Sequence, residues 1–353
     1  MHDTHRSAER DIAMPVIGWD IGGVNTKVAV VDRGVVARAH AEPYEIQRAP
    51  EQLPELLRSL CLRLEASADL PHAITMTAEL SQLFRTKRDG VAFVVDAFAR
   101  AFPHSPLHLY AVGGRFLTPE EARAEPLAVA ASNWFAAASI VAARWPDAIF
   151  VDVGSTTTDI IPIASGAVVA LGKTDPERLA AGELLYLGAL RTPVEAIVTE
   201  VPLGTGAAGV SAEAFALAGD VHLWRGDLRP EDYTVPTPDS RPLAREFLHE
   251  RLARVVCGDR ELLGRAEIDR MAEFIAATQT NRVAATIARV SDRHPQSTIV
   301  VAAGLGDFIA VRAAAQLGME TILLADALGA DAARVAPAAA VGVLLDQQLR
   351  ATR

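Results

Sequence analysis

A nineteen-residue pattern, VIGWDIGGVNTKVAVVDRG from Val16 to Gly34, recurs later in the chain as AIFVDVGSTTTDIIPIASG. Asp20 falls on Asp152, Gly22 on Gly154, Thr26 on Thr158 and Gly34 on Gly166, at one offset (152 − 20 = 166 − 34 = 132). Each copy runs from an apolar stretch through an aspartate and a glycine turn into a second apolar stretch. That order reads as a β-hairpin. Two hairpins in register, without a gap, commit the chain to two α/β lobes related by duplication.

The segments between the repeats fit that plan. GVVARAHAE adds a third strand to the first hairpin, and GAVVALGK does the same for the second. A helix is expected over about 50–68, with Leu53, Leu56, Leu57, Leu60 and Leu64 on one face. AITMT then reads as a short strand, and β/α alternation continues through GVAFVVDAF and LHLYAVGG. An alanine-rich helix over about 119–145 leads into the second lobe. The expected divisions are a frayed tail at 1–13, a first lobe at 14–145 and a second at 146–353, with an insertion near 174–240. Near the end, STIVVAAGLGDFIA reads as strand, glycine turn and helix, with Asp307 as the N-cap.

The repeated corners carry chemistry. Glycine lets a backbone approach a phosphate closely, and hydroxyls add hydrogen bonds to its oxygens. Gly22, Gly23, Asn25, Thr26 and Lys27 form one candidate phosphate site; Gly154, Ser155, Thr156, Thr157 and Thr158 form the other. Gly304 and Gly306 are a third element, read either as an ordinary helix start or as a turn lining the far side of a diphosphate cleft. Asp20 and Asp152 repel phosphate themselves, so they make sense with a hard cation such as Mg2+ between, held through retained waters. Lys27 either adds positive charge or points to solvent. A single Asp-x-Gly-Gly is usually only a turn; two copies in register are hard to explain that way.

Composition sets the background. Half of the 353 residues are hydrophobic and 22% are charged, ample for large cores. The net charge of −10 disfavours nonspecific binding to nucleic acid or anionic membrane. Two cysteines, Cys61 and Cys257, offer neither zinc spacing nor a disulfide framework. The nine histidines have no metal-ligand spacing, and His222, His249 and His294 show no evident partner. The first residues lack the apolar core of a secretory signal, so a cytoplasmic location is expected.

DIGGVNTK, DVGSTTTD and AAGLGD together resemble the actin/hexokinase ATPase superfamily. That resemblance implies two ribonuclease-H-like lobes closing a central cleft on a phosphate-bearing ligand and Mg2+. More narrowly, GWDIGGVNTK, TMTAEL, FRTKRDGV, VDVGSTTTDIIPI and GALRTPVEAI resemble a hydantoinase/oxoprolinase-related branch, the tetrahydromethanopterin-linked one-carbon-transfer family. This implies a transferase of methanofuran or methylofuran biosynthesis. It would join an aminomethyl-furan-methanol diphosphate to a tyramine- or tyrosine-derived phenol and release diphosphate, without requiring ATP. Asp20 and Asp152 would be catalytic, and Glu79 is the first choice for the base that takes the phenol proton. Glu79 reads equally as a carboxylate favoured by a helix dipole. Lys87 and Arg88 either touch phosphate or form a solvated face. Glu183 and Arg191, in the insertion, are candidates for recognising the acidic or amino end of a substrate. Expected partners are therefore small molecules, without nucleic acid or membrane, and a homodimer is allowed. Two other readings stay open: an ATP-dependent small-molecule kinase or hydantoinase-like ATPase, and a non-catalytic nucleotide-binding protein.

Overall fold

In the computed structural model, which describes residues 14–352, the chain folds as two compact units. The tail expected at 1–13 lies outside the described residues. One unit runs to Ala136 and takes back the chain from Pro337; the other spans Ala137–Ala336. The end of the chain therefore belongs with the first unit, against the expectation of a second lobe at 146–353.

The first unit opens with β1 (Val16–Ile21), β2 (Asn25–Asp32) and β3 (Val35–Pro43), then α1 (Leu53–Arg63), β4 (His72–Met76), α2 (Lys87–Ala101), β5 (Leu107–Tyr110) and β6 (Phe116–Leu117). Its sheet has the order β3-β2-β1-β4-β5-β6, antiparallel through the hairpin and parallel from β1 to β4 and from β4 to β5. Alternation along β1 sends Ile17, Trp19 and Ile21 into a core with Ile74, Val94 and Phe98. Gly18 and Asp20 are left on the opposite face. The helix expected at 119–145 is broken into α3 (Pro119–Ala124), α4 (Pro126–Val129) and α5 (Asn133–Arg144). Pro126 has no N–H with which to continue α3. Before α5, Ala131 adopts φ 49° and the buried Ser132 hydroxyl pairs with Thr75 Oγ1 at 2.7 Å.

The second unit repeats the plan with β7 (Ala148–Val153), β8 (Thr158–Ala164) and a short β9 (Ala167–Val168). The insertion supplies α6 (Asp175–Ala181), β10 (Leu184–Leu185), α7 (Val194–Ile197), β11 (Glu200–Leu203), β12 (Gly206–Gly209) and α8 (Ala218–Arg225). Then come α9 (Arg245–Arg254), α10 (Arg265–Ser291), β13 (Ile299–Ala303), α11 (Asp307–Gln316), β14 (Glu320–Leu323), α12 (Leu324–Leu328) and α13 (Ala330–Arg334). The sheet order is β10-β8-β7-β13-β14, with β9 also on β8 and with β13 parallel to both β7 and β14. Val16 pairs with Val31 in one hairpin and Ala148 with Ile163 in the other, the same register shifted by 132. Both units are ribonuclease-H-like lobes.

The last helix, α14 (Ala336–Ala351), explains the displaced boundary. A Cβ on Gly18 would stand 2.0 Å from the Ala338 carbonyl oxygen, and Gly342 lies against the Gly18 backbone. Only two glycines let helix and strand meet this closely.

Candidate active site

The duplicated corners match bond for bond. The amide of Gly22 donates to the Asn25 carbonyl at 2.9 Å, and that of Gly154 to the Thr157 carbonyl at 2.8 Å. Closing the turns this way leaves the next two amides spare. Among the described residues, those of Gly23 and Val24, and of Ser155 and Thr156, donate to no backbone carbonyl. Each corner therefore offers adjacent N–H groups, beside a strand-end carboxylate, that an anion can use. A Cβ on Gly23 would meet nothing within 4 Å, so the first corner has room.

Their charges differ. Asp20 is buried, its Oδ2 lies 3.3 Å from Lys27 Nζ, and its buried Oδ1 has no hydrogen-bond partner among the described residues. Lys27 is thus drawn onto the carboxylate rather than left in solvent. In the second corner the residue facing Asp152 across the strands is Asp159, which is bonded by Arg178 Nη2 at 2.5 Å. Ser155 and Thr156 bring their hydroxyls to 3.4 Å of each other at this corner, and Thr157 is half-buried beside them. Thr26 and Thr158 do not fit the expected role as phosphate donors. Both are fully buried, and the Thr158 hydroxyl is already given to the Leu187 carbonyl at 2.6 Å.

That bond belongs to a strap, residues 186–191, which covers the second corner; the sequence marked its GALR segment by resemblance but not its packing on the corner. Ala189 N donates to the Gly154 carbonyl at 2.9 Å, and Leu190 N and Arg191 N donate to the Ser155 carbonyl at 3.1 and 2.8 Å. A Cβ on Gly188 would fall 2.5 Å from the Ser155 carbonyl and the Thr156 nitrogen, so only glycine fits there. Arg191 is tied to the corner by its backbone while its side chain is exposed. From behind, Gln279 Nε2 donates to the Gly188 carbonyl at 2.9 Å. This turns the Gln279 oxygen toward His222, whose Nε2 lies 2.8 Å away. His222 Nδ1 is 3.3 Å from Asp227, which also accepts from Arg225 and Arg312. Burial works to raise the Asp227 carboxyl, but the bonds from His222, Arg312 and Arg225 outweigh it and hold the group well below the usual carboxylate range. His222 therefore has partners, contrary to expectation.

Gly304 and Gly306 sit on this same corner, not on the far side of a cleft. Gly306 N donates to the Val153 carbonyl at 2.8 Å, and a Cβ on Gly304, at φ +91°, would touch Asp152 Oδ1. Gly306, not Asp307, is the N-cap of α11. Asp307 lies just inside the helix, where burial raises its carboxyl against a bond from the Phe308 amide, with Asp326 pushing the same way as burial.

In the first unit, Thr77 N donates to the Ile21 carbonyl, which brings the end of β4 beside the first corner. Glu79 follows in a 3-10 turn, Ala78–Leu80, its side chain buried and 3.8 Å from Lys87 Nζ. Lys87 begins α2 under a Thr86–Asp89 capping box, and a Cβ on Gly90 would strike the Glu79 Cα. Glu79 and Lys87 are thus brought together against the first turn of α2. Arg88 points elsewhere: its guanidinium donates to the Arg123 carbonyl at 3.3 Å. Glu183 is also a structural group. Its carboxylate accepts the amides of Leu171 and Gly172 at 2.9 and 3.0 Å and meets Arg293 at 3.3 Å, with no exposed surface left for a substrate.

A family model for hydantoinase/oxoprolinase matches residues 71–344. Over 335 residues the chain is 34% identical to the (4-{4-[2-(gamma-L-glutamylamino)ethyl]phenoxymethyl}furan-2-yl)methanamine synthase of Methanocaldococcus jannaschii, covering 95% of this chain and 98% of that protein. The Methanococcus vannielii protein of the same name is 33% identical over 207 residues, 58% of this chain and 92% of that one. Among solved structures, the inorganic polyphosphate/ATP-glucomannokinase of Arthrobacter sp. aligns with a TM-score of 0.45 at 14% identity, covering 96% and 99% of the two chains. The ROK hexokinase of Thermus thermophilus aligns with a TM-score of 0.43 at 16% identity, again over 96% and 99%.

Proposed function

The chain belongs to the hydantoinase/oxoprolinase family, and from that premise we propose that it is a synthase of methanofuran-type cofactors. It joins a furan-methanamine unit to a phenol, the linkage spelled out in the names of its relatives from Methanocaldococcus jannaschii and Methanococcus vannielii. The electrophile is an aminomethyl-furan-methanol diphosphate, and the leaving group is diphosphate.

One observation supports this most: each corner pairs a strand-end aspartate with two adjacent amides that donate to no backbone carbonyl among the described residues. As the furfuryl carbon–oxygen bond breaks, its electron pair passes to the diphosphate. Preorganised amides at the second corner, with the exposed Arg191 tied to Ser155, stabilise that charge where it develops. Removal of one such donor typically costs about 10²–10³ in rate. The phenol proton passes to a base, the role expected of Glu79.

The residues also fit a Mg2+ ion. The orphaned, buried Oδ1 of Asp20 is an acceptor that lacks its donor or cation, and Asp152 stands at the matching strand end. Among the described residues no group of three His, Cys, Asp or Glu could ligate a metal by protein atoms alone. This suits an ion held by a single strand-end carboxylate, its own waters and the substrate's phosphates. When bound, such an ion supplies charge neutralisation for the leaving diphosphate.

The test incubates the full chain with Mg2+, the furan diphosphate and tyramine or γ-glutamyltyramine. Equal amounts of aryl ether and diphosphate are expected, read by mass spectrometry and a coupled phosphate assay. ATP turnover on a panel of small molecules, with no ether formed, would overturn the reading in favour of a kinase.

A further inference from the structure

Tyr186 is 63% exposed and takes no part in the core. Its place is nonetheless fixed on both sides. Leu184 and Leu185 pair with Asp159 and Thr158 across β10 and β8, and Asp159 in turn faces Asp152. Tyr186 follows the strand at once, in the bend that turns the chain from β10 into the strap. On its other side Leu187 accepts the Thr158 hydroxyl, and Gly188 is pressed onto Ser155 and Thr156. The strap therefore starts with an aromatic ring, crosses the corner amides, and ends with the exposed guanidinium of Arg191.

We propose that Tyr186 binds the aromatic ring attached to the leaving diphosphate, and that its face stabilises the positive charge growing on that ring's exocyclic carbon. This rests on the reading above, in which the ring is a furan. A ring bonded through one methylene to a diphosphate seated on Ser155 and Thr156 must lie within a few ångströms of the strap. In the step itself, the carbon–oxygen bond breaks with its electrons going to diphosphate. A lone pair of the phenol oxygen forms the new bond, and the phenol proton goes to the base; nothing is oxidised or reduced. The electron-rich face of an aromatic side chain attracts a cation by its quadrupole, and the exocyclic carbon carries such charge only as its bond to diphosphate breaks. Tyr186 should therefore act on kcat more than on KM.

The experiment compares wild type, Tyr186→Phe and Tyr186→Leu in ether formation, with Tm and calorimetric binding of Mg2+ plus inorganic diphosphate measured alongside. Phe keeps the ring, so kcat should stay within about twofold of wild type. Leu should lower kcat by about five- to thirtyfold, the range a cation–π contact provides. Tm and diphosphate affinity should not change, because the side chain is exposed and contacts the ring rather than the phosphates. An unimpaired kcat in Tyr186→Leu, with wild type active, refutes this role and leaves the synthase reading intact. Absence of ether with wild type removes the reading, and this proposal with it.

Discussion

Replacing Gly188 by alanine tests whether the strap sets the geometry of the second corner. The new Cβ would sit 2.5 Å from the carbonyl carbon and oxygen of Ser155 and from the nitrogen of Thr156. All three are backbone atoms, so no side chain can swing aside. Restoring an ordinary 3.4 Å contact requires the strap or the corner to move by about 0.9 Å (3.4 − 2.5). Overpacking of this kind costs about 1–3 kcal/mol. At about 2–4 °C per kcal/mol for a unit of this size, Tm should fall by roughly 2–12 °C. The same movement stretches the bonds from Ala189 N to Gly154 and from Arg191 N to Ser155, now 2.9 and 2.8 Å. The amides of Ser155 and Thr156 leave their places by a comparable distance, and misplacement on the order of 1 Å can cost about 10²-fold in rate. Steady-state ether formation, calorimetry with Mg2+ plus inorganic diphosphate, and scanning calorimetry give the three readings. Gly209→Ala is the control, since a Cβ there meets nothing within 4 Å. If Gly188→Ala loses stability yet binds diphosphate and turns over like wild type, the strap is only structural.

Asp152→Asn should lower kcat on the order of 10²-fold while barely moving Tm, because it removes charge at a strand end and almost no volume; unchanged turnover across a Mg2+ titration would reduce Asp152 to a turn residue. Glu183→Gln should do the reverse. It replaces one of the two carboxylate oxygens that accept the Leu171 and buried Gly172 amides with an NH2 donor, at a cost of about 1–3 kcal/mol in stability, and leaves KM untouched; a raised KM at wild-type Tm would restore Glu183 to the substrate site. His72 makes stability depend on pH. Burial depresses its imidazole from 6.5 to about 4, against the bond to the Ala68 carbonyl, so the unfolded chain takes the proton first as pH falls. Stability should then drop by about 3 kcal/mol between pH 6.5 and pH 4. Urea midpoints for wild type and His72→Gln should converge at low pH, and parallel pH curves would refute the assignment.

What the sequence makes legible is whatever is written in residue types that backbone geometry demands. The Asp-Gly turns announce themselves because a hairpin of this shape needs glycine and a strand-end polar group in fixed places, and the offset of 132 then carries the register of whole strands. The strap leaves almost no such mark. Its bonds to Gly154 and Ser155 are main-chain, and any residue type except proline could make them at Ala189, Leu190 and Arg191. Resemblance picks out its GALR segment, but of the residues that lock it onto the corner only Gly188 and the buried Gln279 carry a type that geometry demands. Glu183 misleads for a related reason: a carboxylate that caps two amides looks, in sequence, like one that waits for a ligand. The return of α14 to the first unit is signalled by Gly18 and Gly342, far apart in the chain and individually unremarkable. The helix expected at 119–145 fails because Pro126 and the Ser132–Thr75 bond outweigh alanine's helix propensity.

The two corners share a skeleton but not an electrostatic design, and the difference sits at one repeat position. Lys27 in the first copy becomes Asp159 in the second, each directly opposite its strand-end aspartate. The Lys27 ammonium comes within 3.3 Å of Asp20, so that corner carries its own counter-charge. In the second copy Asp159 stands directly opposite Asp152, and Arg178 binds Asp159 from the buried side. The exposed Arg191 lies on the strap beside the same turn. On the proposed reading, the second corner seats the diphosphate on the amides of Ser155 and Thr156, with Arg191 as its cation. One position of the repeat, a lysine in one copy and an aspartate in the other, thus sets two corners of the same hydrogen-bonded shape in different electrostatic surroundings.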